Sequence, residues 1–228
     1  MKYNPNPRIY LIHAVKAAML PVQEQLSVQW PEAEICNLLD DSLERDKTKP
    51  GADLSGRILD LTYTAVKSGA NGILFTCSAF GEAIESAAAQ FRIPVLKPNE
   101  AMFHQAINTG KRVAMLATFE PAMAGMEREF QEMLGTQHRP VEFLPVFVPG
   151  ARDALNAGDI DTHDKLVAEC ASNLEGVDTI MLAHFSTASA LSTVTALTNA
   201  AVLTSPATAV AMLRESVQHA LTQTKPPQ

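Results

Sequence analysis

Two residues with chemistry of their own, Cys77 and His184, each end a short apolar run. Cys77 ends the run 71–77, and His184 ends the run 179–184, at an offset of 107 positions (184 − 77 = 107). A cysteine acts as a base or nucleophile once its thiol is ionised, and a histidine exchanges protons near neutral pH. The matching placement predicts that both side chains serve one catalytic site.

Small polar residues cluster at the ends of these and neighbouring runs. We predict that six of them bind substrate: His13, Thr76, Ser78, Thr118, Ser186 and Thr187. Hydroxyl groups beside backbone N–H donors suit a carboxylate that becomes an enediolate when its α-proton leaves. Serine and threonine are also good helix caps, and capping is the alternative for each hydroxyl.

The remaining cysteines and histidines are predicted to be structural. Cys36 lies in an apolar run and Cys170 in a helical pattern, where an average thiol is a small core residue. Cys77 and His184 have the same structural alternative. Three histidines are predicted to lie at the surface, in loops or on helices: His138, His163 and His219. No pair of histidines has zinc-ligand spacing, so we predict no metal.

The chain alternates short apolar runs with longer stretches of helical periodicity, which predicts α/β units around parallel sheets. The predicted strands are 8–13, 34–38, 71–77, 94–96, 112–117, 141–146, 179–184 and 201–204. The predicted helices are 56–68, 81–91, 121–134, 161–174 and 208–222. The acidic stretch 40–46 is predicted to be a solvated loop, and the tail 222–228 to be disordered.

The second half of the chain repeats the first. The run 112–117 follows 8–13 at an offset of 104, and Val202 follows Val95 at 107. We predict two pseudo-symmetric lobes, 1–98 plus 207–228 and 99–206, each a parallel sheet flanked by helices. Ligands bind beyond the carboxyl ends of parallel strands, so we expect an active-site cleft between the lobes. The alternative is the approximate periodicity of any α/β protein.

The composition narrows the range of partners and compartments. A net charge of −7 and the lack of a basic stripe disfavour nucleic acid. No segment is long and apolar enough to span a bilayer, and His13 and Lys16 interrupt the first apolar run, unlike a secretion signal. The three cysteines form no disulfide framework, which is typical of a cytoplasmic protein.

Two common motifs, the nucleophile elbow and the glycine-rich phosphate loop, are absent. A nucleophile elbow needs glycine two residues before the nucleophile, where this chain has Phe75. A cysteine hydrolase therefore stays a weaker alternative, and no glycine-rich motif for nucleotide phosphates is present.

The ordered motifs resemble the aspartate/glutamate racemase superfamily, which also includes hydantoin racemase, maleate isomerase and arylmalonate decarboxylase. The matching segments are Thr76-Cys77-Ser78, Leu116-Ala117-Thr118, the run 180–183 and Val202-Leu203-Thr204-Ser205-Pro206. The resemblance implies a cofactor-independent isomerase with two α/β lobes that moves a proton at the carbon next to a carboxylate. The expected substrate is a small acid, either an amino acid or a hydantoin-like compound, and a homodimer is the expected assembly.

One departure from the family pattern affects the mechanism. Racemases of this superfamily use one cysteine from each lobe, whereas this chain has Cys77 and, at the second position, His184. We predict Cys77 as base or nucleophile and His184 as the opposing acid. The alternatives are a single-cysteine decarboxylase or cis-trans isomerase of the same superfamily, and a non-enzymatic protein that binds small carboxylates.

Overall fold

A computed structural model describes residues 6–47, 49–137 and 139–223. The strands are β1 Arg8–His13, β2 Glu34–Leu39, β3 Gly72–Phe75, β4 Val95–Leu96, β5 Arg112–Ala117, β6 Glu142–Phe147, β7 Thr179–Leu182 and β8 Ala201–Thr204. The helices are α1 Met19–Gln29, α2 Ser42–Asp46, α3 Leu54–Lys67, α4 Gly81–Ala88, α5 Glu100–Thr109, α6 Glu120–Gln137, α7 Ala151–Asn156, α8 Ile160–Ser172, α9 Leu191–Leu197 and α10 Ser205–Gln223.

The strands form two parallel sheets of one topology. The first has the order β2-β1-β3-β4 and the second β6-β5-β7-β8. The central strands β1 and β5 are almost wholly buried, since helices cover both faces of each sheet, and their sequences are accordingly apolar. This is the α/β architecture that the alternation of runs predicts.

The chain divides into two compact units, which we call unit 1 and unit 2. Unit 1 contains Met1–Pro98 and Ala209–Gln228, and unit 2 contains Asn99–Thr208. In unit 1 a core cluster that includes Tyr10, Ile73 and Ile84 packs between sheet and helices. In unit 2, Phe130 contacts Phe103 edge-on at 5.5 Å between ring centroids and stacks on Phe143 at 4.0 Å.

The two units repeat contacts as well as topology. Arg8 pairs with Glu34 at the start of β1 and β2, and Arg112 pairs with Glu142 at the start of β5 and β6. The N–H of Arg8 donates to the side chain of Asn71, and the N–H of Arg112 donates to Asp178, 107 positions later. The repeat therefore extends to individual hydrogen bonds, beyond the general periodicity of α/β proteins.

Each predicted strand overlaps an observed one, although β2 and β6 end one residue later than predicted, and five helices were not predicted: α1, α2, α5, α7 and α9. Helix α1 lacks a clear apolar face, because Leu20 and Val28 on it are 64% and 78% exposed. The predicted loop at 40–46 is wrong in part, since helix α2 forms there. Arg57 on α3 stabilises this segment by pairing with Asp40 and Asp46.

Two further predictions concern the end of the chain and its histidines. The tail was predicted to be disordered from residue 222, but Thr222 and Gln223 belong to α10. Residues 224–228 and His138 lie outside the described residues. Within the described part of the chain, no helix is long and apolar enough to cross a membrane.

Candidate active site

Cys77 and His184 occupy the same position in the two units. The N–H of Thr76 donates to the carbonyl of Ile12 at 3.0 Å, and the N–H of Ala183 donates to the carbonyl of Leu116, also at 3.0 Å. Cys77 and His184 are the next residues, just beyond the carboxyl ends of β3 and β7. Their equivalence therefore follows from the hydrogen-bond register of the sheets as well as from sequence offset.

In unit 1, a buried hydrogen-bonded group supports the strand end that carries Cys77. His13, the last residue of β1, has no accessible surface. Its Nδ1 lies 2.8 Å from Thr76 Oγ1, and its Nε2 lies 3.0 Å from Asn37 Oδ1. Because an amide oxygen only accepts, Nε2 carries the ring proton and Nδ1 accepts the proton of the Thr76 hydroxyl.

His13 is therefore neutral and fixed from both sides. Burial lowers the pKa of its imidazole, and the hydrogen bond to Asn37 only partly opposes this. Thr76 is also almost fully buried. Both residues were predicted to bind substrate, but their side chains face each other in the interior. The hydrogen bond between them fixes the strand end just before Cys77.

Cys77 begins the turn that leads into α4. Its backbone is extended, and a 3₁₀ helix follows at Ser78–Phe80 before α4 starts at Gly81. Cys77 and Ser78 are both partly exposed. Cys77 thus directly precedes a helix start, and N–H groups at such a start stabilise negative charge on a sulfur or a bound carboxylate beside them.

In unit 2, His184 has an unusual backbone. Its φ is 70° and its ψ 138°, and it is the only non-glycine residue with positive φ in residues 6–47, 49–137 and 139–223. Conformations of this kind cost about 1–3 kcal/mol and persist where surrounding contacts fix them. The His184 carbonyl accepts a hydrogen bond from the N–H of Thr187 at 3.1 Å, within the 3₁₀ helix Phe185–Ala190.

The imidazole of His184 is deep in unit 2 and close to a cation. The His184 ring contacts the ring of Phe119 edge-on, with 6.5 Å between the ring centroids. The guanidinium of Arg152 lies over the Phe119 ring, 4.2 Å from its centroid. The residue is partly exposed as a whole, yet its Nε2 atom is buried. Burial, with a smaller contribution from the charge of Arg152, lowers the pKa of His184 to about 4.

A cavity of about 290 Å³ opens at the carboxyl ends of β5 and β6, and both Thr118 and Arg152 line it. Thr118 Oγ1 lies 3.5 Å from Thr187 Oγ1, and both residues are nearly or fully buried. Ser186 is partly exposed. The cavity lining also includes two acidic residues, Glu120 and Asp153. Unit 2 therefore has a neutral imidazole, a cation and hydroxyl groups at one sheet edge, and the cation is the group there that can bind a carboxylate.

Arg152 and Phe119 are absent from the predicted site. Arg152 follows Pro149-Gly150 after β6, and Phe119 follows Thr118 after β5. The rule that ligands bind beyond the carboxyl ends of strands would have included both. The predicted site contains only residues with hydroxyl, thiol or imidazole groups.

His163 lies elsewhere than predicted. It was expected at the surface of a helix, but its side chain is completely buried on α8. His219 is exposed on α10, as predicted. Among the described residues, no group of three or more histidine, cysteine, aspartate or glutamate side chains could hold a metal ion.

Similar folds occur among solved racemases. The glutamate racemase of Francisella tularensis, solved with D-glutamate, has a TM-score of 0.71 at 15% identity, over 98% of this chain and 86% of the other. Allantoin racemase from Klebsiella pneumoniae has a TM-score of 0.70 at 17% identity, over 94% of this chain and 89% of the other. Picrophilus torridus aspartate racemase has a TM-score of 0.68 at 13% identity, over 93% of this chain and 95% of the other. At these identities the likeness establishes the fold.

Sequence comparison gives the family. A search of curated proteins found no match. The family model described as Asp/Glu/Hydantoin racemase matches residues 36–213, which include Cys77, His184 and Arg152. With both sheets in the racemase topology and most of the sequence within the family model, this chain belongs to the Asp/Glu/Hydantoin racemase family of isomerases.

Proposed function

We propose that the protein is a cofactor-independent racemase that moves a proton at the carbon next to the carboxylate of a small acid, with Cys77 and His184 as the two proton carriers. The observation that carries this proposal is their equivalent position in the registers of the two sheets. Proton transfer on opposite faces of one carbon needs two such groups. The family supplies the reaction class, and this chain supplies a thiol and an imidazole.

The lowered pKa of His184 assigns an order to the proton transfers. At neutral pH the imidazole is uncharged, so it accepts a proton from the substrate carbon while the thiol of Cys77 donates one to the opposite face. The reverse reaction starts from the thiolate of Cys77 and protonated His184. His184 thus acts as the acid only after it has gained a proton.

Arg152 is our candidate for the carboxylate-binding cation. It lines the cavity beside Thr118, and its stacking on Phe119 fixes the guanidinium near the ring of His184. A charged donor stabilises a carboxylate and, more strongly, the enediolate that forms from it. In this proposal four residues supply hydroxyl groups to the substrate: Ser78, Thr118, Ser186 and Thr187. The buried contact between His13 and Thr76 supports the strand end that precedes Cys77.

The histidine at the second catalytic position favours two alternative reactions that use a single thiol. A single thiol can protonate one face of an enediolate after loss of CO₂, or add to a double bond and allow rotation about it. Each reaction needs Cys77 but not a second thiol. A protein that only binds small carboxylates would use Arg152 and neither proton carrier.

The experiment is proton NMR in D₂O on the purified protein with amino acids of both hands, hydantoins including allantoin, maleate and substituted malonates. We expect deuterium at the α-carbon of both enantiomers of one substrate class, lost for one enantiomer in Cys77→Ala and kept for both in the control variants Cys36→Ala and Cys170→Ala. Isomerised maleate or released CO₂ would indicate the alternative reactions. Unchanged exchange in Cys77→Ala would contradict the proposal.

We also propose a cytoplasmic homodimer. All three cysteines are thiols with no disulfide between them, which is usual in a reducing compartment. Dimers with two-fold symmetry are the commonest assembly of soluble enzymes. Sedimentation equilibrium that gives about twice the chain mass of 24.6 kDa would support the dimer, and a mass equal to one chain would contradict it.

A further inference from the structure

A buried histidine in unit 2 has no role in the proposed reaction. His163 on α8 is fully buried, and its Nδ1 lies 2.7 Å from Oδ1 of the neighbouring Asp164. A carboxylate only accepts, so Nδ1 carries a proton. Its Nε2 is buried and has no hydrogen-bond partner among the described residues. The hydrogen bond of this imidazole among the described residues is therefore the one to Asp164.

The same oxygen of Asp164 also binds a second element. Ser189 Oγ donates to Asp164 Oδ1 at 2.6 Å. Ser189 belongs to the 3₁₀ helix Phe185–Ala190, which starts directly after His184. The Asp164 carboxylate, with an exposed side-chain fraction of only 16%, thus joins α8 to the segment that determines where His184 lies.

His184 needs such support because of its backbone. A φ of 70° is unfavourable for a residue with a side chain, and the conformation relaxes unless neighbouring contacts fix it. At the start of the segment, the hydrogen bond from the N–H of Thr187 to the His184 carbonyl supplies one contact. At its end, the bond between Ser189 and Asp164 supplies another, and this one reaches a different helix.

We propose that Asp164, oriented by His163, is a positioning residue that holds the strained backbone and buried ring of His184 through Ser189. The proposal rests on the proposed function only for its effect on catalysis. Its structural part concerns the surroundings of the His184 imidazole, and the titration of that imidazole can be measured without substrate.

The test uses Ser189→Ala and Asp164→Asn in protein labelled with ¹⁵N-histidine, with the His184 resonance assigned from its absence in His184→Gln. If the 185–190 segment loosens, water reaches the ring, and the pKa of His184 rises from about 4 toward 6.5 in both variants. Loss of the Asp164 charge alone would lower this pKa. Asp164→Asn therefore separates positioning from a simple charge effect.

Two variants serve as controls. Ser172→Ala removes an exposed serine hydroxyl of α8 that donates to the carbonyl of Glu169, and it should leave the His184 titration unchanged. Ser189→Thr keeps the hydroxyl and should restore most of the wild-type titration. In an active preparation, Ser189→Ala should lower kcat by about tenfold with a smaller change in KM, since small displacements of a catalytic group act mainly on the chemical step.

An unchanged His184 pKa in Ser189→Ala would overturn the proposal, even if Asp164→Asn fails to fold. A raised pKa in a protein that shows no activity with any substrate would refute the proposed function and leave the positioning role standing. A raised pKa without any loss of kcat would limit Asp164 to a structural role and overturn the catalytic part of the inference.

Discussion

The backbone of His184 lies in a region that glycine occupies at little cost, because glycine has no Cβ. We predict that His184→Gly unfolds at higher urea concentration than His184→Ala, with a difference in unfolding free energy of about 1 kcal/mol. Both variants lose the imidazole, so the comparison isolates the backbone. Equal stability, or a more stable alanine variant, would show that this conformation is not strained in the folded protein.

Arg152 affects His184 through its charge as well as through its contact with Phe119. We predict that Arg152→Met raises the pKa of His184, because a nearby positive charge no longer opposes protonation. Arg152→Lys keeps the charge and should leave this pKa close to that of the wild type. Histidine NMR titrations of both variants make the measurement. Equal shifts in the two would assign the effect to the lost stacking.

The titration of His184 also makes stability depend on pH. An unfolded histidine has a pKa of about 6.5, while His184 in the folded protein has one of about 4. Between these values only the unfolded state gains the proton, so stability present above pH 6.5 is lost as the pH falls toward 4. We expect His184→Gln to remove up to about 3 kcal/mol of this loss. Urea unfolding at pH 7, 5.5 and 4.5 measures it, and parallel curves would contradict it.

At the scale of elements, helix α10 packs on strand β3 without room for a side chain between them. A Cβ at Gly72 would lie 2.5 Å from Val217 Cγ2, whereas a Cβ at Gly125 inside α6 meets nothing within 4 Å. We predict that Gly72→Ala destabilises unit 1 by about 1–3 kcal/mol. The same change at Gly125 should stabilise the protein by about 0.5–1 kcal/mol. Thermal unfolding of both variants tests these two predictions. If both variants were destabilised, or both stabilised, the packing argument would be refuted.

Strands were easier to predict from the sequence than helices. Each buried strand is a short apolar run, because both faces of a parallel sheet are covered, and such a run stands out between polar turns. Helix α1 was missed because exposed Leu20 and Val28 blur its periodicity. Helix α2 was missed because the acidic stretch is stabilised by Arg57, which lies 11 residues after Asp46 along the chain. Local patterns do not contain such contacts.

At the scale of the whole molecule, the internal repeat is the signal from which we predict the site. Equal offsets relate Cys77 to His184, and the same repeat is present in the hydrogen bonds of Asn71 and Asp178. What the sequence could not provide was the depth of each side chain. His13 and His163 are fully buried, although one was predicted to bind substrate and the other to lie at the surface. The burial of a side chain depends on how the helices pack around it, and the sequence around a single histidine does not predict that packing.

In the reaction that we propose, Cys77 and His184 work on opposite faces of one substrate carbon. The most direct measurement is α-proton exchange in D₂O, followed separately for each enantiomer of the substrate, in Cys77→Ala and His184→Ala. We predict a reciprocal result, in which each variant still exchanges the enantiomer whose proton faces its remaining group and loses the other. Loss of the same enantiomer in both variants, or full exchange of both enantiomers in His184→Ala, would contradict the account.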